Sequence, residues 1–257
     1  MNNVMKKTGI VLLVLVLLVG LGACSRTVNT MERIADNDRV IMGTNAEFPP
    51  FEYRDETGAV AGFDVALAEE IAADLGVELV IEDMDFNALI AALNSGKIDF
   101  VAAGMTVTED RLENADFSVA YFDASQVIIV QADNTDINGA DDLVGKRIGV
   151  QEGTTGDLEA SEIEGVEMFR YRKGIDGIMD LKNGNIDAVV IDGQPAGVFV
   201  QLNADLRMLD DALTVEEYAI AVRKGDSAFL SSINASIERI KASGRYQEIY
   251  DEYIEQD

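Results

Sequence analysis

The sequence predicts an α/β protein of two lobes around a cleft, with the first lobe discontinuous in the chain. Three observations carry this. Short apolar runs alternate with amphipathic stretches at helical spacing, the pattern of a helix-covered sheet. The pattern L-x-x-G-x-I-D occurs twice, at residues 93–99 and 181–187, at matching places in the order of elements. Two β-rich runs, residues 125–130 and 215–222, fall between the copies and after the second.

The elements follow in order. Residues 40–42 form a strand, and residues 64–75 a helix with Leu67, Ile71 and Leu75 on one face. Asp64 is placed to cap that helix and Gly76 to end it. Residues 77–81 alternate as a strand, 86–94 form a second helix stopped by Gly96, and 98–102 a third strand. The same grammar restarts with strands at 147–150, 166–169 and 186–191 and helices from 155–161 and 175–182. Each L-x-x-G-x-I-D copy then spans a helix, a glycine cap and a buried strand, although ordinary α/β punctuation would also produce the pattern. Helices at 228–243 and 246–253 return the chain to the first lobe, so the two β-rich runs become hinge strands. The expected division is a leader at 1–23, a tether at 24–37, a first lobe from 38–124 and 219–257, and a second from 125–218.

In the leader, Lys6 and Lys7 precede an apolar run at 10–19 and a small-residue exit, Gly20-Leu21-Gly22-Ala23, the order of an export signal. Ten apolar residues are too few to span a bilayer, which takes roughly 20. The one cysteine of the chain, Cys24, follows directly. It can form neither an internal disulfide nor a thiolate metal site.

Composition narrows the function. With 20 Lys+Arg against 47 Asp+Glu, the formal charge of −27 over 257 residues argues against a nucleic-acid partner. Hydrophobic residues at 48% are enough to build cores, so the charge does not signal disorder. The chain has no histidine, which removes the commonest general base and a common metal ligand. No metal or other cofactor is expected.

In open α/β sheets, ligands sit beyond the carboxyl ends of the strands. That rule selects four stretches: 44–48, 103–111, 151–155 and 192–194. In the second, Gly104 permits close backbone approach, Thr106 offers a hydroxyl, and Arg111 offers a two-pronged partner for a carboxylate. A surface ion pair is the ordinary alternative for Arg111, and Thr108 is placed to cap the next turn. Gly153-Thr154-Thr155-Gly156 opens a helix, so it serves as an anion nest, as plain capping, or as both. Asp192 ends an apolar strand, where a buried carboxylate wants a cation; an Asx turn ahead of Gly193 is the alternative. Phe48 and Phe86 offer aromatic walls, or pack in the core. An arginine and a nest for a carboxylate, an aspartate for an ammonium and aromatic walls together describe a site for an α-amino acid.

At these residues the sequence also resembles a known family, the extracellular solute-binding proteins of polar amino acid ABC importers. The resemblance runs from about Val40 to Tyr253 and is most specific at 43–53 (GTNAEFPPFEY), 62–65, 103–111, 116–118 and 149–156. It implies a type II periplasmic-binding-protein-like fold with two hinge strands, closing on its ligand, in a monomer. By position, Arg111 would hold the α-carboxylate with Thr106 and the Thr154-Thr155 backbone. Asp192 and Ala103-Gly104 would hold the α-ammonium, Phe48 and Phe86 would flank the side chain, and Asn45 and Gln151 would reach its far end. Several relatives carry Asp where Asn45 stands, and the glutamine binder carries Lys where Gln151 stands, which leaves glutamine and basic amino acids both open. Leu21-Gly22-Ala23-Cys24 looks like a lipobox, implying a lipid anchor on Cys24, an extracytoplasmic location and an ABC permease as partner. No catalysis is expected; a dehydratase-like enzyme on the same scaffold and a ligand-sensing domain are the alternatives.

Overall fold

The computed structural model describes residues 29–255; the leader and Cys24 lie outside the described residues. Helix α1 (Thr30–Asn37) leads into β1 (Arg39–Thr44), followed by a small meander, β2 (Glu47–Phe48), β3 (Glu52–Arg54) and β4 (Val60–Ala61). Next come α2 (Phe63–Leu75), β5 (Glu78–Asp83), a 3-10 turn at Phe86–Ala88, α3 (Leu89–Ser95), β6 (Phe100–Val101), α4 (Glu109–Asn114) and β7 (Ala115–Phe117). The chain crosses on β8 (Phe122–Ala124) to β9 (Gln126–Gln131), β10 (Arg147–Gln151), α5 (Thr155–Ser161), β11 (Glu167–Tyr171), α6 (Gly174–Lys182), β12 (Ala188–Asp192), α7 (Gly193–Leu202) and β13 (Leu206–Met208). It returns on β14 (Glu216–Tyr218) to β15 (Ala221–Arg223), α8 (Ser227–Ala242) and α9 (Arg245–Tyr253).

These elements make two five-stranded sheets, β5-β1-β6-β15-β7 and β11-β10-β12-β9-β13, one per lobe. An antiparallel ribbon of β8 and β14, with Glu216 opposite Ala124 and Tyr218 opposite Phe122, joins them. The first sheet takes β15 from the far end of the chain. Helix α2 buries Phe63, Leu67 and Ile71 completely or nearly so; removal of each such side chain from water is worth about 1.5–3 kcal/mol. Gly76 in the left-handed region ends the helix.

The two L-x-x-G-x-I-D copies do the same work. Asp99 N–H donates to the Ile41 carbonyl and its carboxylate accepts from Ile41 N–H, both at 2.8 Å. Asp187 repeats this on Arg147, at 2.8 and 2.9 Å. Each aspartate thus extends the parallel ladder where the strand begins, which ordinary punctuation does not require.

Three local expectations are corrected. The run at 215–222 is two strands, β14 and β15, because the chain turns from the ribbon into the first sheet at Ala219-Ile220. Within the span read as a tether, residues 30–37 are helical; Ile34 is buried in the core and Arg33 pairs with Asp99. Asp64 does not cap α2, whose N-cap is Gly62. Gly62 itself is obligatory, because a Cβ there would lie 2.2 Å from the Phe51 carbonyl oxygen.

Candidate functional site

The strand ends of both lobes converge on one narrow, nearly filled cavity with a free volume of about 10 Å³. Asn45, Phe48, Phe86, Ala103, Gly104, Thr106 and Arg111 line it from the first lobe, and Gln151, Thr154, Thr155 and Asp192 from the second. All eleven residues selected from the sequence therefore meet at one place.

Arg111, on α4, has its guanidinium over the Phe86 ring, 5.2 Å from the centroid. Nη1 donates to the Thr106 carbonyl at 2.6 Å and Nη2 to the Gly153 carbonyl, across the cleft, at 3.0 Å. Among the described residues no carboxylate lies within ion-pair distance of it, so the surface ion pair does not form. The two carbonyls fix the plane of the fork while its charge stays unmatched. Thr108 caps α4 as expected, accepting from Arg111 N–H at 3.2 Å.

Asp192 ends β12 and is buried, and it makes no side-chain cap to the helix it precedes. Burial pushes its carboxyl up to about 7, against the opposing hydrogen bond from the Tyr218 hydroxyl. Next to it, Gly104 sits at φ +51°, and a Cβ there would lie 2.8 Å from the Phe48 ring. The Gly104 N–H donates to Asp64 Oδ2 at 2.8 Å, and the Tyr121 hydroxyl donates to the same oxygen at 2.7 Å. This places the 103–104 peptide against the cavity.

Thr154 caps α5, one of the two roles read for it, and the threonine hydroxyls turn to protein acceptors. The hydroxyls of Thr106 and Thr155 donate to Glu216 Oε2, at 2.6 and 2.8 Å. The Thr154 hydroxyl donates to the Gln151 carbonyl at 2.8 Å and accepts from Asp157 N–H. A hydroxyl has one hydrogen to give, so these three are spent inside the protein. The Gly153 N–H of the presumptive nest also goes to Asp157.

At the opposite end, Asn45 Nδ2 donates to the Met84 carbonyl, and Gln151 Nε2 donates to Asn45 Oδ1, both at 2.8 Å. Gln151 Nε2 also donates to the Arg172 carbonyl at 3.3 Å. A backbone carbonyl only accepts, so both amides are locked in orientation. Gln151 spends both N–H groups and keeps its Oε1 as an acceptor, whereas Asn45 keeps one N–H and one lone pair of its Oδ1.

Sequence reasoning missed the layer beneath these residues. Glu52 lines the cavity floor, fully buried, with neither carboxyl oxygen hydrogen-bonded by a nitrogen or hydroxyl donor. Burial, reinforced by the charge of Asp64 beside it, drives its carboxyl well above the ordinary range. Burial also raises Asp64, to about 6. A protonated Glu52 donating to Asp64 satisfies both groups with one proton. Glu216 was legible in principle: in Glu216-Glu217-Tyr218-Ala219-Ile220 alternate residues share a face, and Tyr218 and Ile220 are apolar, so Glu216 points inward with them.

Comparison with known proteins agrees with this geometry. The family model for bacterial extracellular solute-binding proteins, family 3, matches residues 40–256. A probable histidine-binding protein of Neisseria gonorrhoeae is 36% identical over 221 residues, covering 83% of this chain and 82% of its own. The arginine-bound form of truncated ArgBP from T. maritima is 46% identical with a TM-score of 0.79, covering 81% of this chain and 99% of that one. An ancestral arginine-binding protein bound to glutamine is 41% identical with a TM-score of 0.82, covering 85% and 99%. The chain belongs to the bacterial extracellular solute-binding proteins, family 3.

Proposed function

We propose that the cavity binds a free L-amino acid whose side chain donates hydrogen bonds, arginine before glutamine, and that the protein delivers it unchanged to an ABC permease. The observation that carries the reading is Gln151, which spends both N–H groups inside the protein and so offers only its carbonyl oxygen, an acceptor, at the distal end. Guanidinium brings five donors there and an amide brings two, whereas a carboxylate side chain brings none. Charge ranks the first two. Arg111 matches the ligand's α-carboxylate and Asp192 its α-ammonium, which leaves Glu216 as surplus negative charge behind the site. A cationic ligand neutralises that surplus. Phe48 and Phe86 supply aromatic faces on which a guanidinium stacks. The ArgBP relative with arginine bound supports the ranking, and the ancestral protein bound to glutamine supports the second ligand.

The same proposal places the lipid anchor on Cys24 and the protein, as a monomer, on the extracytoplasmic face of the membrane. The test is calorimetry of the protein against the amino acids, with recovery of the ligand afterwards. Tightest binding to arginine, recovered unchanged, supports the reading; tightest binding to glutamate, or chemical conversion of the ligand, overturns it.

A further inference from the structure

The hinge strand β14 carries Glu216 and Tyr218 on one face, both buried, and that face lies against the cavity. Tyr218 donates its hydroxyl to Asp192, and its ring packs on Phe51 with centroids 5.1 Å apart and on Phe122 at 5.8 Å. Glu216 Oε2 accepts from Thr106 of the first lobe at 2.6 Å, and from Thr155 and Gln126 of the second at 2.8 and 3.5 Å. Its Oε1 accepts from Thr214 at 2.7 Å. Among the described residues Glu216 has no cationic partner within ion-pair distance, so donors from both lobes and the hinge are what stabilise it.

We propose that Glu216 is a hinge-mounted latch: it holds the two lobes together through Thr106 and Thr155, and so sets how long the closed cleft lasts. Each arm of the latch is anchored in its own lobe. The Thr106 segment is strapped to β14 by its own backbone, with Thr106 bridging Tyr218, Val107 N–H donating to the Glu217 carbonyl at 3.2 Å and Ala219 N–H to the Met105 carbonyl at 3.1 Å. Thr155 opens α5 in the second lobe, where Gln126 Nε2 donates to its hydroxyl at 2.9 Å, and the approach to β14 is tied to Gln126 as well, by Leu213 N–H to its carbonyl at 2.8 Å and by its N–H to the Thr214 hydroxyl at 2.9 Å. Glu216 therefore stands between two anchored arms, and opening the cleft pulls on the bonds it makes to both. A hydrogen bond to a charged group is worth about ten- to a hundredfold in an equilibrium. That factor falls on dissociation, because the bond forms only after the ligand has entered an open cleft. Glu216 is a positioning residue, acting on the ligand through the closed state.

The inference rests on the amino-acid-binding reading, and the experiment separates the two. Stopped-flow tyrosine fluorescence of the full chain with L-arginine gives association and dissociation rates for wild type, Thr155→Val, Thr155→Ser, Glu216→Ala and the double variant Thr155→Val/Glu216→Ala. The expected result is dissociation about tenfold faster in Thr155→Val, association within twofold of wild type, and recovery in Thr155→Ser. The double variant should fall short of the two single effects multiplied together, since both changes remove the Thr155–Glu216 bond while Thr155→Val also takes an acceptor from Gln126 Nε2. Thr155→Val dissociating at the wild-type rate, or the two changes adding in full, overturns the latch. If Glu216→Ala does not fold, the Val and Ser pair decides. If wild type binds no amino acid, the functional reading falls, and small-angle scattering of the unliganded chain judges the latch alone: Thr155→Val more expanded than wild type upholds it, and equal radii overturn it.

Discussion

At one end of the cavity recognition is ionic. Arg111 presents an unmatched fork, and Asp192 waits for a cation with its proton affinity already raised by burial. At the other end it is neutral. Asn45 and Gln151 hold each other, and backbone carbonyls dictate which way they face. In the proposed reading the first end answers to what every amino acid shares, and its interactions are strong because charges meet where water is scarce. The second answers to what distinguishes one amino acid from another, and does so with hydrogen bonds of ordinary strength. Affinity should therefore reside at the charged end and selectivity at the amide end.

The largest expected effect breaks the charged end. Arg111→Ala should weaken arginine and glutamine alike by at least about a hundredfold, since it strands a carboxylate in the cavity; calorimetry that finds one ligand spared would contradict the division. Gln151→Lys places a cation where the acceptors were. It should cost arginine about a hundredfold, from two positive charges in a partly dry site, and glutamine far less, measured as the ratio of the two dissociation constants. The pH response of the wild type comes next. Below pH 7 Asp192 holds a proton that the ligand's ammonium must displace, so affinity should rise with pH through 7 and then level off. Between pH 6 and pH 8 the gain is about tenfold, and Asp192→Asn should bind weakly with no such slope. Asn45→Asp sharpens the amide end, raising the arginine preference over glutamine by about tenfold.

The smallest effect lies under the floor. Glu52 keeps its proton in the folded state well above the pH at which an unfolded chain loses it. That contribution to stability is complete at low pH and is lost as pH rises toward the folded value. Glu52→Gln should then melt a few degrees higher than wild type at pH 9 and no higher at pH 4; equal shifts at both would mean that Glu52 is not the proton holder.

The lobes, the return of the chain and all eleven cavity residues were legible, because strand ends in an open α/β sheet converge and short motifs mark those ends. The carboxyl layer was less so. Asp64 follows a glycine at a helix start, where capping is the economical explanation, and only the fold shows its oxygen meeting Gly104 N–H. The hydroxyl of Thr106 reads as a ligand donor until its acceptor, Glu216, arrives from 110 residues away. The aromatic side chains, Arg111 and the threonines all line the cavity, since position alone decides that. Position does not say where a hydroxyl's single hydrogen goes, and that of Thr106 goes to Glu216.

Helix α1 has a mechanical consequence. Thr30 is bonded to both Arg223 and Asp226, and Arg33 to Asp99, so the first described helix is riveted to the first lobe. If Cys24 carries the lipid, the leash from Cys24 to Thr30 reaches about 20 Å at full stretch. The first lobe is then the stationary jaw, held close above the bilayer, and the second is the one that swings.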